Sequence, residues 1–154
     1  MRPAQVRRLT AGERELAREM FGAALEPGRV RLLSAPVLAR AFVAGPGLIV
    51  WPTRSAWADF SAPEVPLRAQ AVFVHELTHV WQAQQGINLL FAKLRAGDDA
   101  RAYGYDLAGA PDFSQLNIEQ QAMVVEHAFL AARGARTPFA AAQYEACLPS
   151  WRRG

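Results

Sequence analysis

Cysteine occurs once in these 154 residues, at Cys147, so no disulfide can form within the chain. Whatever fold it takes is held by non-covalent packing, and the lack of disulfides suits a reducing compartment. Lysine is as scarce: Lys93 is the only one, and the other sixteen basic residues are arginines. No apolar run approaches the roughly 20 residues needed to cross a bilayer. The start, Met1 to Arg8, is basic, but no apolar stretch follows it and charge returns at Glu13, Arg14 and Glu15. That pattern predicts no secretory signal and a cytoplasmic protein. Neither a glycine-rich phosphate loop nor a dinucleotide fingerprint is present. The net charge is only +3, with Arg2, Arg7 and Arg8 near one end and Arg152 and Arg153 near the other. A solvated arginine-rich surface accounts for these better than nucleic acid does, so neither nucleic acid nor membrane is expected as a partner.

What the chain does have is apolar mass. Half of it is hydrophobic (51%), with four Trp and eight Phe, enough for one core, and residues 1–154 are read as a single domain. Thr10-Ala11-Gly12-Glu13 forms a capping-box pattern ahead of Leu16, Met20, Phe21 and Leu25 at helical spacing. Pro27-Gly28 ends that helix. Val30–Leu33 and Leu48–Trp51 are short strand candidates, separated by the turn Gly45-Pro46-Gly47, and Thr53 to Val65 is irregular. Two long helices follow, Leu67–Gln85 and Asn117–Arg133, each closed by a glycine, and a short one starts at Thr137-Pro138. The segment between the long helices reads as a loop with a helical turn. The order predicts an α+β fold dominated by helices, with a small antiparallel sheet. Leu48–Trp51 reads first as ordinary sheet core and second as an edge strand for pairing with an extended peptide. Trp57, Asp59 and Phe60 are candidate pocket residues. Cys147 has no histidine nearby in sequence and is expected to be inert.

The chemistry is concentrated in Val72-Phe73-Val74-His75-Glu76-Leu77-Thr78-His79-Val80-Trp81. His75 and His79 are four residues apart in a helix, so both imidazoles leave one face, one turn apart. This lets two ring nitrogens reach one zinc ion at about 2.0–2.1 Å. Glu76, one position on, is placed to take a proton from a water that the metal acidifies. Apolar neighbours bury the helix, and buried histidines without partners are unfavourable. The pattern predicts a Zn²⁺-dependent peptidase acting on a peptide or protein substrate. A catalytic zinc needs a third protein ligand, and the downstream carboxylates are Asp98, Asp99, Asp106, Asp112, Glu119, Glu126 and Glu145. Glu119, early in the second long helix and three residues before the small Ala122, is the leading candidate. Glu126, seven residues on and on nearly the same face, and His127 are the alternatives. The alternative function is a zinc-binding accessory protein without catalysis.

A His-Glu-x-x-His helix followed some tens of residues later by a helical glutamate resembles the gluzincin division of zinc metallopeptidases. The resemblance implies His75, His79 and Glu119 as ligands and Glu76 as general base. It also implies a donor that stabilises the oxyanion, for which Tyr103 and Tyr105, between the ligand helices, are candidates. Many gluzincins carry an aspartate after the motif that matches Glu119-x-x-Ala122. Here Met123 stands there, so a ligand histidine must be oriented by another residue. The wording His75-Glu76-Leu77-Thr78-His79-Val80-Trp81-Gln82, together with Leu116 to Ala122, further resembles small bacterial Vgr-related proteins. It is also similar to metallopeptidase domains found with contractile injection systems and phage-tail-like particles. That resemblance implies a secretion-system or phage-tail-like component as partner, and delivery by such a system.

Overall fold

In a computed structural model, residues 1–97 and 99–153 are described. Asp98 (one of the candidate carboxylates) and Gly154 lie outside this description, as do the side chains of Arg152 and Arg153. The chain runs β1 (Val6–Arg8), α1 (Ala11–Phe21), β2 (Arg31–Ala35), β3 (Phe42–Val43), β4 (Leu48–Pro52), α2 (Leu67–Gln84), α3 (Leu89–Ala96), α4 (Ala100–Tyr103), α5 (Ile118–Ala132) and α6 (Ala141–Cys147). The fold is α+β, as the sequence predicts. The capping box at Thr10 and Glu13 is formed on both sides, and Asn117 with Gln120 makes a second one at the start of α5. No helix among the described residues is long and apolar enough to cross a membrane.

The sheet departs from the expectation. It has the order β1-β2-β4-β3, with β1/β2 and β4/β3 antiparallel but β2/β4 parallel, Leu32 opposite Ile49. The sheet is therefore mixed. After β2 the chain crosses over, lays down β3 as the outer strand, and turns back so that β4 enters beside β2 in the same direction. Leu48–Trp51 is consequently an interior strand and not an edge; β1 and β3 are the edges. Its interior position explains its composition, since Ile49, Val50 and Trp51 are all buried. The basic start holds the remaining strand, β1. Arg7 within it is no surface cation: its guanidinium grips the fully buried Glu13 with both nitrogens at 2.6 Å.

Helix α2 lies across the core and packs along α5. One end rests on an aromatic cluster in which Phe60 stacks on Phe73 at 4.8 Å and meets Trp51 at 4.4 Å. Phe60 is thus core, and Trp57, Asp59 and Phe60 line no part of the cleft described below. At the other end Trp81 packs on Trp151 at 4.4 Å and on Phe113. Both ends of the His75–His79 segment are thereby fixed against rotation. Gly86, at φ +88°, takes the left-handed conformation that ends α2, one that a side chain would strain. Cys147 is buried, and burial pushes its thiol pKa up, in keeping with an unreactive residue.

Candidate metal centre

His75 and His79 project from α2 toward the first turn of α5, where Glu119 is 2% exposed. Glu119 Oε2 lies 3.5 Å from His75 Nε2 and 3.3 Å from His79 Nε2. Three donors about 2.1 Å from a tetrahedral centre stand roughly 3.4 Å from one another, so these separations fit a single small cation. The three residues are the cluster that could hold a metal among the described residues. Glu126 and His127, the alternative third ligands, are placed elsewhere. Glu126 reaches the far side of the His75 ring, and His127 bonds to Tyr105.

The tautomers follow from the partners of the other ring nitrogens. Gln82 donates through Nε2 to the carbonyl of Ile118 and to Gln121 Oε1, both at 2.9 Å. Gln121 is fixed in turn by donating to Phe113 O at 3.0 Å. The Gln82 oxygen therefore faces His79 Nδ1 at 2.8 Å, which must carry the proton. His75 Nδ1 likewise donates to Glu126 Oε2 at 3.0 Å. In both rings this leaves Nε2 to bind a metal. Glu126 thus does for His75 what the absent aspartate after Ala122 does elsewhere. It lies one helical turn beyond that position on α5, which is why a search confined to the residue after Ala122 misses it. Gln82 was not singled out from the sequence, though its spacing three residues after His79 was a usable signal.

The charges are strongly coupled. Burial would lower the His75 pKa, but hydrogen bonds to Glu119 and Glu126 outweigh it and push it up to about 9. Burial would raise Glu119, and the two histidines instead hold it well below the usual carboxylate range. Glu126 is also lowered, burial being outweighed by His75. Glu76 goes the other way: it is almost fully buried, burial raises its pKa, and its Oε2 has no hydrogen-bond partner among the described residues. A buried, unpaired carboxylate oxygen beside two histidines is the expected state of a base whose partner is a water or substrate proton.

The site opens into a cleft of about 720 Å³. Residues 38–43, running into edge strand β3, form one wall; Leu89, Leu90 and Lys93 of α3 form another; Arg68 and Val72 of α2, Ile118, Met123 and Glu126 of α5, and Tyr103 complete it. The two tyrosine candidates separate here. Tyr103 lines the cleft, its hydroxyl 3.4 Å from Arg40 Nη1. Tyr105 is turned away, bonded through its hydroxyl to His127 Nδ1 and to Tyr144, and lines no part of it.

No protein-family model matches the chain. It is 32% identical over 136 residues to the type VI secretion system spike protein VgrG2b of Pseudomonas aeruginosa, a match that covers 80% of this chain and only 13% of that protein. Among solved structures it is similar to the effector domain of Pseudomonas aeruginosa VgrG2b, with 32% identity and a TM-score of 0.69, covering 90% of this chain and 79% of that one. Likeness of sequence and fold over most of both domains has one consequence: the chain belongs to the family of the VgrG2b effector domain.

Proposed function

We propose that this chain is a zinc-dependent peptidase that serves as an effector module of a type VI secretion system. The observation that carries the catalytic part is the convergence of two Nε2 atoms on one Glu119 oxygen beside the buried, unpaired oxygen of Glu76. His75, His79 and Glu119 would hold the ion, and two imidazoles with one carboxylate suit zinc. When bound, zinc would acidify a water and polarise the substrate carbonyl. Glu76 accepts the proton as the water oxygen bonds to the carbonyl carbon, and returns it to the amine nitrogen as the C–N bond breaks. Its raised pKa suits both halves of that cycle. An extended substrate is favoured by β3, an outer strand that also lines the cleft and against which a further strand could pair.

Glu76→Gln tests this reading. Zinc-loaded wild-type chain is incubated with casein and a peptide library, and new N-termini are read by mass spectrometry. Glu76→Gln should keep its zinc and lose on the order of 10²-fold or more in turnover. Equal cleavage by both would overturn the mechanism. A second reading, a metal-binding secretion component without turnover, is favoured by the description of the relative as a spike protein. Stoichiometric zinc with no cleavage by the wild type would select it.

A further inference from the structure

Lys93 is the single lysine beside sixteen arginines, and the fold brings it to the metal cleft. Its Nζ lies 3.6 Å from Glu119 Oε1, while Oε2 of the same carboxylate is the atom facing the two imidazoles. Its charge also bears on Glu76. The lysine therefore stands beside both the proposed ligand and the proposed base.

A cation in this place works against metal binding, because like charges in a partly desolvated cleft repel. What it favours is negative charge, and hydrolysis of an amide develops negative charge on the carbonyl oxygen. Of the two tyrosines that might have answered it, Tyr105 is turned into the protein, and Tyr103 lines the cleft with its hydroxyl 3.4 Å from Arg40 Nη1. An ammonium suits the task better than a guanidinium. It is a compact charge with three donors on a flexible stem, whereas a guanidinium would tend to lock both carboxylate oxygens.

We propose that Lys93 is the catalytic electrophile of the cleft: its ammonium binds the oxyanion that develops at the scissile carbonyl while keeping contact with Glu119. The inference rests on the metal-dependent reading of the site, and its test does not require turnover. The cobalt(II)-loaded full chain is titrated with methylphosphonate, a tetrahedral oxyanion, and the visible absorption of the cobalt is followed. Lys93→Met should weaken methylphosphonate binding tenfold or more, with a gap that narrows as salt is added. It should take up cobalt as tightly as wild type or more tightly, an outcome that a purely structural role for Lys93 would not give. Arg95→Met, on the same helix, should change methylphosphonate binding by less than twofold. Equal affinity in Lys93→Met and wild type, equal weakening in both variants, or no methylphosphonate binding by the cobalt-loaded wild type would each overturn the proposal. A wild type that takes up no cobalt would overturn the metal reading beneath it. Lys93-dependent methylphosphonate binding without any peptide cleavage would overturn the peptidase reading alone.

Discussion

Glu126 offers the sharpest test of how the metal centre is held. It accepts from His75 Nδ1 at 3.0 Å, and its other oxygen lies 3.6 Å from the exposed Arg68. Glu126→Ala removes the acceptor and leaves the His75 ring free to rotate or change tautomer. Loss of such a partner weakens metal binding by about 10–100-fold. If zinc is supplied at about 1,000 times its wild-type Kd, it stabilises the fold by about 4.1 kcal/mol. A tenfold loss of affinity reduces that to about 2.7 kcal/mol, and a hundredfold loss to about 1.4 kcal/mol, by the same relation. At about 2–4 °C per kcal/mol for a domain of this size, the zinc-induced rise in Tm should shrink by about 3–11 °C. Glu126→Gln retains a carbonyl acceptor and should lose less. The assay is chelator competition for zinc, paired with thermal melts with and without the metal. Zinc affinity within twofold of wild type in Glu126→Ala would refute the assignment. A fall in Tm equal with and without zinc would show that Glu126 supports the fold and not the metal.

Two further substitutions separate scaffold from chemistry. Tyr105→Phe removes the hydroxyl shared by His127 and Tyr144, and should cost about 1 kcal/mol in urea unfolding while leaving zinc affinity unchanged; a loss of zinc binding would place Tyr105 back in the centre. Glu13→Ala removes the carboxylate that holds Arg7 with two bonds and accepts from the backbone N–H groups of Thr10 and Phe60. It should destabilise by about 3–5 kcal/mol in the same assay, since the Arg7 guanidinium, 14% exposed, is left without its counter-charge; a change under 1 kcal/mol would mean that the pair is dispensable.

Local regularities were legible in the sequence because they depend on neighbours in the chain. The four-residue spacing of His75 and His79, the capping box at Thr10, and the glycine after α2 are fixed by helical geometry within one or two turns. The α+β class followed from the order of such segments. The direction of β4 did not, because pairing is decided by where a crossover deposits the strand, and a turn such as Gly45-Pro46-Gly47 reads the same beside a parallel or an antiparallel neighbour. Of the edge and pocket candidates, Leu48–Trp51 and Phe60 proved to be core for the same reason: an apolar run carries no mark of which side is covered.

The sequence by itself determined that two imidazoles would share one face of a buried helix with a carboxylate to one side, since residues four apart at 3.6 per turn stand one above the other. Only the tertiary structure decided the rest of the centre. Glu119, Glu126 and His127 lie within nine residues on one helix, and sequence distance cannot say which of them meets the His75–His79 face. The packing of α5 against α2 sets Glu119 opposite both Nε2 atoms, Glu126 behind His75, and His127 against Tyr105. Gln82 and Lys93 take their places for the same reason, because one bonds across to α5 and the other descends from α3 into the cleft. Side chains that act together across helices are brought together by packing, and packing is a property of the whole core.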